Sequence, residues 1–406
     1  MKGARGLGCI VALAGAGLVA CGGAGPVERR PDAGNQHDAG WLAEAGPGPD
    51  AGTDAGVDGG ELPAEPRVVL VSRDGDVAVT DVTSPWAARG TAALGDTIAS
   101  LRCAGGRCVV VHPAPADALS WIDASDAHLV RRIPLERGSD PRDVALVDDT
   151  HALVTFFASA SLALVDLETG DTTRTIDLAT LADDDGLPEA SRAAICGERV
   201  FVQLLRIVHA TGEASPLGPA LGVVDLGAAS PIVDVDATTP GDQAIALSVA
   251  PAFDMPVDCA AGLLRVAEPR PILSGGSRFE EIDLNELTAH DLDLPDTAEV
   301  GGFVYLDDTH VWAITHTEFG PGPSSHLNLV GSTTMPTYNT FADEHVDDLA
   351  ADAESGLVFF PNPCSRDAWA ACDPELVVFD GATGELAAAQ AVTLSIRPIE
   401  IAVSRP

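Results

Sequence analysis

Short apolar runs separated by turn residues follow one another from Arg67 to the end of the chain. Runs of this kind, rich in Val, Leu and Ile and bounded by Gly, Asp and Pro, are typical of β-strands. One unit returns: an apolar run, a tight turn and a second apolar run. Its clearest copies are Val144–Thr155 and Phe303–Thr315, which share the turn Asp-Asp-Thr-His. The pattern predicts a repeated, all-β fold.

The first run of this unit can be aligned at seven positions, about 44 to 63 residues apart. Such a period is typical of a four-stranded sheet, the blade of a β-propeller. The longest interval contains the turn-rich stretch 209–218, which we expect to be an insertion. The seven aligned positions are Cys103, Val147, Cys196, Cys259, Leu306, Ala351 and Val403.

A second element follows each unit: an apolar run that ends in an aspartate. Because aspartate at a strand end can accept hydrogen bonds from turn amides, we expect a structural role for these side chains rather than a catalytic one. The set comprises Asp81, Asp123, Asp166, Asp225, Asp283 and Asp380.

The two ends of the repeated region complement each other. Residues 67–81 resemble the second and third strands of a blade without its first strand, and residues 397–404 resemble a first strand alone. Joined, they make one complete blade and cover two exposed sheet edges. We therefore predict a seven-bladed β-propeller over residues 67–406, closed by pairing of the C-terminal strand with the N-terminal blade.

The N-terminus has the layout of an exported protein. Residues 1–20 combine two positive charges with an apolar run, as in a secretory signal. The following motif, Leu18-Val-Ala-Cys21, resembles the lipobox of bacterial lipoproteins, which implies that Cys21 is lipidated and anchors the chain in a membrane. Residues 21–66, with repeated Asp-Ala-Gly, predict a disordered linker with a reach of roughly 35–40 Å.

Two segments carry a further resemblance, Pro141–Leu146 and Leu164–Gly170. The repeat resembles that of YVTN-type seven-bladed β-propellers of exported bacterial surface proteins. The resemblance covers about residues 67–404, although the signature tetrapeptide is absent and Ala152–Thr155 stands in its place. It implies a propeller in the cell envelope, while the ligand stays open because propellers include both binders and enzymes.

Composition excludes several classes of function. The formal net charge is −38, which would repel a phosphate backbone, so we expect no nucleic-acid partner. Lys2 is the only lysine and leaves with the signal, which excludes Schiff-base chemistry and a P-loop lysine in the mature chain. We expect no cofactor. Membrane contact is expected through the lipidated N-terminus alone.

The cysteines of the mature chain, apart from Cys21, are even in number and occur in an exported protein, which favours disulfides. The first pair flanks a hairpin turn, the second brackets a short loop, and the third remains by elimination, with free thiols as its alternative. The three pairs are Cys103 with Cys108, Cys364 with Cys372, and Cys196 with Cys259.

In a propeller, loops that enter first strands and loops that join second to third strands lie on one face. We expect a candidate site on this loop face, without identified catalytic residues. Two histidines and a glutamate from the set His316, Glu318, His326, Glu344 and His345 could bind zinc or iron, but they form no local ligand motif, so no metal site is assigned. The acidic turn 183–186 could hold a cation weakly, and an acidic surface turn is the favoured interpretation. The candidate residues are Arg142, Asp143, Arg192, His316, Glu318, His326, His345 and Glu400.

The sequence predicts a non-catalytic binding or scaffold module for a protein, peptide or glycan, held on the outer membrane or surface of a Gram-negative cell. The alternative is a propeller enzyme, lactonase-like or another hydrolase, that uses loop His, Glu, Asp and Arg side chains with or without a metal. No Gly-x-Ser-x-Gly elbow occurs. An enzyme requires titratable groups that converge within about 3–4 Å in the central funnel.

Overall fold

The computed structural model describes residues 65–209, 211, 213–248, 255–268, 278–292, 299–307, 310–317, 324–330, 338–339, 348–362, 373–387 and 391–405. The predicted signal 1–20, Cys21 and nearly all of the linker 21–66 lie outside the described residues. Within the described ranges, no helix is long and apolar enough to cross a membrane.

The described strands form seven four-stranded antiparallel sheets and one separate hairpin, here numbered sheets 1 to 7 in chain order. Sheet 1 begins with β1 (Arg67–Ser72), β2 (Asp76–Asp81) and β3 (Ala88–Ala93). Sheet 2 contains β4 (Ser100–Ala104), β5 (Arg107–His112), β6 (Ala118–Asp123) and β7 (Leu129–Pro134). Sheet 3 contains β8 (Pro141–Leu146), β9 (His151–Phe156), β10 (Ser161–Asp166) and β11 (Thr172–Asp177), and a 3₁₀ turn follows at Ala179–Leu181.

Sheet 4 carries an insertion. It starts with β12 (Ala190–Cys196) and β13 (Arg199–Leu204), continues through the hairpin of β14 (Ile207–Val208) and β15 (Glu213–Ala214), and is completed by β16 (Ala220–Asp225) and β17 (Ile245–Ala246). The hairpin overlaps the stretch expected to be an insertion. Sheet 5 contains β18 (Val257–Asp258), β19 (Leu263–Glu268), β20 (Arg278–Asp283) and β21 (Thr288–Leu292).

The last two sheets continue the same order. Sheet 6 contains β22 (Glu299–Asp307), β23 (His310–Thr317), β24 (Ser324–Val330) and β25 (Tyr338–Asn339). Sheet 7 contains β26 (Ala350–Asp352), β27 (Leu357–Asn362), β28 (Glu375–Asp380) and β29 (Val392–Thr393). The final strand, β30 (Pro398–Ser404), pairs with β1 and completes sheet 1 in the order β3-β2-β1-β30. The predicted all-β class is confirmed.

The seven positions aligned in the sequence lie in, or directly after, the first strand of each sheet. Five lie inside these strands, while Val147 follows β8 and Cys259 follows β18. In sheet 1 the first strand is β30, whose Val403 pairs with Val68 of β1. The recurrent apolar run is therefore the signature of the first strand.

Burial explains why the first three strands of a sheet are easy to recognise. The second strand β5 is buried over five of its six residues, because neighbouring sheets cover both of its faces. Val109, Val111 and Trp121 of sheet 2 pack with Val144 and Val154 of sheet 3 in one apolar cluster. The fourth strands β3, β7 and β11 are largely exposed and carry polar residues.

Five of the six strand-end aspartates cap the turns that follow them, as the sequence predicts, while Asp81 is ion-paired with Arg67 and Arg89. Asp166 Oδ1 accepts hydrogen bonds from the amides of Glu168 and Thr169 at 2.8 and 2.9 Å. These bonds hold the pKa of Asp166 below its usual value. Asp283 and Asp380 make the same pair of contacts, and the pKa of each is lowered for the same reason.

A buried aspartate connects neighbouring sheets at two places. Asp143 Oδ2 in sheet 3 accepts a hydrogen bond from the amide of Ala193 in β12 at 3.1 Å. Asp348 Oδ2, just before β26, accepts one from the amide of Ile401 in β30 at 2.7 Å. Each carboxylate satisfies an amide of the next sheet's first strand, so the two contacts fix how adjacent sheets pack.

Candidate functional site

A cavity of about 370 Å³ lies between the first strands of sheets 2 to 6. Its wall is aliphatic over most of its area. Among the described residues that line it, Arg102 alone carries a charge. In sheets 2 to 4 the lining lies toward the ends of the first strands nearest the turns into the second strands, whereas Met255 precedes β18 and Phe303 lies in the middle of β22. The apolar lining includes Val144, Ala194, Ile195, Met255, Val257 and Phe303.

Arg102 is paired with a buried carboxylate. Its Nη2 donates to Asp143 Oδ2 at 2.8 Å, and Asp143 has no exposed surface. The same oxygen accepts the amide of Ala193, so the carboxylate connects β4, β8 and β12. Asp143 was expected on the loop face. The structure places it inside β8, where it serves packing between sheets.

Arg142 and Arg192 lie near the starts of β8 and β12, and both are engaged in contacts. Arg142 Nη2 donates to Asp140 Oδ2 at 2.6 Å, and its guanidinium lies 4.9 Å from the centre of the Phe157 ring. Arg192 Nη1 donates to the carbonyl of Ala99 at 3.4 Å, across the first strand of sheet 3. These cations position neighbouring loops.

The remaining candidates are spread over the fold. His316 pairs with Ser325, and His326 with Thr315, on adjacent rungs of the β23–β24 ladder. Glu400 is half-buried in β30, opposite Val71 of β1. Glu318 and His345 lie outside the described residues, as do Cys364 and Cys372.

Two disulfides are present in the described part of the chain. Cys103 and Cys108 face each other in the β4–β5 hairpin, with Cα atoms 4.1 Å apart. Cys196, at the end of β12, is bonded to Cys259, which follows β18, with Cα atoms 5.5 Å apart. The first bridge lies within sheet 2, and the second joins sheet 4 to sheet 5.

The loop face carries a compact polar group, here called the sheet 4 cluster: Asp183, Asp185, Glu189 and His209. The three acids precede β12, and His209 follows β14 in the insertion. Glu189 is buried, and its Oε1 lies 2.8 Å from His209 Nε2. Its Oε2 accepts the amide of Ile207 at 3.0 Å. The ligand-type atoms of Asp185, Glu189 and His209 all lie within 4.8 Å of one another.

Two carboxyl groups of this cluster, Glu189 and Asp185, have pKa values shifted in opposite directions. Burial raises the pKa of Glu189 to about 6, and the nearby charges of Asp185 and Asp183 add to the rise, against the Ile207 amide and His209. The amides of Leu187 and His209 lower the pKa of exposed Asp185. Desolvation thus has the largest effect on the pKa of Glu189, and hydrogen bonds from amides have the largest effect on the pKa of Asp185.

Sequence reasoning identified the acidic turn 183–186 and the insertion 209–218 separately, but it did not bring them together. No short motif relates Glu189 to His209, which lie in different loops. Their meeting depends on β12 and β13 being antiparallel, which places the residue before β12 beside the chain that leaves β13. The usable signal was topological, because both loops lie on the face already chosen as the candidate site.

A second group of donors occurs at the turn after β6. Asp126 Oδ1 accepts from the amide and from Nδ1 of His128, at 3.0 and 2.7 Å, and both side chains are exposed. The nearby Asp123 is ion-paired with Arg107. This group is a strand-end turn of the type found throughout the fold.

No protein-family profile and no curated protein sequence matches this chain. Its fold resembles solved structures of low identity. A provisionally named 6-phosphogluconolactonase of Bacteroides fragilis is 12% identical, with a TM-score of 0.57 over 86% of this chain and 100% of its own. A similarly named protein of Bacteroides uniformis is 12% identical, with a TM-score of 0.56 over 84% of this chain and 100% of its own. AztD of Citrobacter koseri is 12% identical, with a TM-score of 0.52 over 83% of this chain and 97% of its own. These likenesses show a propeller-like fold.

Proposed function

We propose that this protein is an exported lipoprotein whose propeller is a non-catalytic binding module in the cell envelope. The observation that carries the proposal is the central cavity, an aliphatic space whose one described charge is already paired with Asp143. Such a lining suits apolar side chains of a bound segment better than a polar reaction. The lipobox-like Leu18–Cys21 and the apolar run before it support export and anchoring.

The proposed architecture is a closed ring of seven blades. It is supported by the pairing of β30 with β1, from Arg67 opposite Ser404 to Ser72 opposite Pro398. Two further contacts tie β30 to its neighbours: Arg405 Nε donates to Asp352 Oδ1 at 2.8 Å, and the Gly106 amide donates to the Arg405 carbonyl at 2.8 Å. The pairing covers the edge of β1 that would otherwise be exposed.

We propose that the ligand is a peptide or protein segment with an apolar side chain. A volume of about 370 Å³ is at the small end of ligand pockets, which suits one or two side chains. Phe303 is the one aromatic residue among the described lining. Glycan sites use aromatic faces for stacking, so a peptide fits this wall better than a sugar.

The enzyme alternative gains no support from the neighbours named as lactonases, because 12% identity transfers the fold and not the reaction. In the described part of the funnel, Arg102 and Asp143 are committed to each other and to the Ala193 amide. They hold adjacent sheets together and do not present a free base to a substrate.

Anchoring is tested by expressing the full chain in a Gram-negative host with an alkyne-labelled fatty acid. We expect label on the protein and its recovery with membranes, and loss of both in Cys21→Ala. Cys9→Ala is the matched control, since this cysteine lies inside the signal, and it should keep both properties. Label that persists in Cys21→Ala, or a wild-type protein without label, contradicts the lipid anchor.

Binding is tested by selection from a displayed peptide library on the purified full chain. We expect enrichment of peptides with an apolar anchor residue, and loss of their binding in Ile195→Trp, which fills the cavity. Leu386→Trp adds the same side chain at a site 53% exposed and should bind like wild type. Equal binding by both variants contradicts the cavity as the site, and turnover of a sugar lactone that Ile195→Trp abolishes would favour the enzyme.

A further inference from the structure

The sheet 4 cluster is built by main-chain contacts between two loops. The amide of His209 donates to Asp185 Oδ2 at 3.2 Å, and the amide of Ile207 donates to Glu189 Oε2 at 3.0 Å. These two bonds hold the insertion against the loop before β12. The donor atoms of the cluster are therefore close together because the two loops that carry them are hydrogen-bonded to each other.

Glu189 supplies a separate observation. It has no exposed surface, and its Oε1 has no hydrogen-bond partner in the described part of the protein. Asp183 Oδ2, two residues from Asp185, is a second buried oxygen of the cluster without a partner among described residues. Buried polar atoms in native proteins are nearly always satisfied, and a bare carboxylate oxygen is among the costlier exceptions. Among the described residues, Glu189 Oε1 has only the His209 ring nitrogen beside it, and each oxygen can accept a cation.

We propose that Asp185, Glu189 and His209 bind one divalent transition-metal ion of the zinc type. This goes beyond the proposed binding module, which requires no metal. Imidazole nitrogen and carboxylate oxygen are ordinary zinc ligands, at bonds of about 2.0–2.2 Å. Around a tetrahedral ion, two such ligands are about 3.4 Å apart, so the two donor atoms have to separate by about 0.6 Å when the ion binds. The observed separation of Glu189 Oε1 and His209 Nε2 is 2.8 Å.

The third ligand needs a small movement. Asp185 is exposed, and its side chain can turn about two bonds toward the other donors while the cluster atoms already lie within 4.8 Å. The His209 side chain is 45% exposed, so one side of the ion would face solvent and keep positions for water. A calcium ion is a poorer fit, because it takes six to eight oxygen ligands and disfavours imidazole.

The surrounding charge favours a cation as well. Asp184 adds a fourth carboxylate to the same loop. Two arginines are near in the sequence: Arg192 donates to the carbonyl of Ala99, and Arg206 Nε donates to the carbonyl of Leu181 at 3.0 Å and also interacts electrostatically with Asp183. In the other donor group, by contrast, Arg107 is already paired with Asp123. That group therefore provides a natural comparison with similar residue types.

The test is calorimetric titration of zinc chloride into the full chain after treatment with a chelator. We expect one equivalent to bind, with affinity lowered about tenfold or more in Glu189→Gln and in His209→Ala. His128→Ala removes the histidine of the other group and should bind like wild type. Cobalt chloride should give an absorption spectrum that changes in His209→Ala.

Three results would overturn the proposal. The first is no zinc binding to folded wild-type protein. The second is binding that neither Glu189→Gln nor His209→Ala weakens. The third is calcium binding as tight as zinc binding and independent of His209, which would make the group an acidic turn only. If Glu189→Gln fails to fold by circular dichroism, His209→Ala decides once the same measurement shows that it is folded, since its ring also contacts Phe157.

Discussion

Asp143 Oδ2 accepts the Nη2 proton of Arg102 at 2.8 Å and the amide proton of Ala193 at 3.1 Å. One carboxylate oxygen thus joins the first strands of three consecutive sheets at the edge of the central cavity. The carboxylate is fully buried, whereas 22% of the arginine side chain is exposed. The pair therefore holds the wall of the proposed binding site in place.

Replacing Asp143 by Asn should destabilise the protein strongly. The change keeps the size of the side chain but leaves Arg102 without a counter-charge, and breaking such a buried pair costs about 3 kcal/mol of unfolding free energy. Arg142→Ala removes a more exposed pair and should cost about 1 kcal/mol or less. Urea unfolding measures both.

A double variant separates charge from packing. Adding Arg102→Met to Asp143→Asn removes the unpaired cation and should recover part of the lost free energy. Equal losses in Asp143→Asn and Arg142→Ala, or no recovery in the double variant, would show that the buried pair is not what holds these strands.

The first strands and the strand-end turns could be predicted from the sequence for a physical reason. A strand covered on both faces must be apolar throughout, and a turn that needs its amides capped favours aspartate, as at Asp166 and Asp380. The fourth strands could not be located in this way. β3, with the sequence Ala-Arg-Gly-Thr-Ala-Ala, lies on the outside and has no apolar pattern to detect.

The site was less predictable than the fold. Asp143 was assigned to the loop face because it lies at the entry to a first strand, but its repeated context, Asp-Val-Ala here and Asp-Leu-Ala at Asp348, indicated a structural contact. Glu189 was missed because burial cannot be read from a single glutamate. Its approach to His209 depends on an insertion whose path the sequence leaves open.

The two disulfides should differ in their effect on stability. In the chain-entropy model, a bridge over 63 residues stabilises the fold by about 4 kcal/mol and one over 5 residues by about 2 kcal/mol. The double variant Cys196→Ala/Cys259→Ala should therefore lose more than Cys103→Ala/Cys108→Ala, because only the former frees one sheet from the next. Urea unfolding without reductant measures the difference, and a larger loss from the hairpin bridge would contradict it.

His112 should make the protein sensitive to acid. Its Nδ1 faces the Thr97 carbonyl at 3.1 Å and must donate, so neutral Nε2 accepts from the Ser120 hydroxyl at 2.9 Å. Burial lowers the pKa of His112 from 6.5, and Arg132 adds to this. As the pH falls below 6.5, His112 becomes protonated in the unfolded chain but stays neutral in the folded protein. The free energy of unfolding therefore decreases until the pH reaches the lower pKa of the folded protein.

The measurement is the slope of unfolding free energy against pH between 7.5 and 5.5. One proton contributes at most about 1.4 kcal/mol per pH unit, and His112→Asn should remove that contribution while keeping a donor toward Thr97. Val110→Ala lowers stability in the same strand without removing a titrating group, and it should keep the wild-type slope. A slope unchanged in His112→Asn would show that other groups cause the acid sensitivity.

The last strand should be needed for folding out of proportion to its length. β30 pairs with β1 along its whole length, and it also satisfies Asp348 through the Ile401 amide and Asp352 through Arg405. Ending the chain at Ser395 exposes the edge of β1, whose Val68, Val69 and Leu70 are fully buried. We expect the truncated protein to be aggregated or to melt far below the intact one.

A chain that starts at Glu65 is the matched control, because it loses more residues but keeps every strand of sheet 1. It should melt like the full chain. Adding a synthetic peptide of residues 396–406 to the truncated protein during refolding should restore part of the native melting transition, since the same backbone pairs can form between two chains. A protein ending at Ser395 that melts like the intact chain would show that β30 does not join the two ends of the fold.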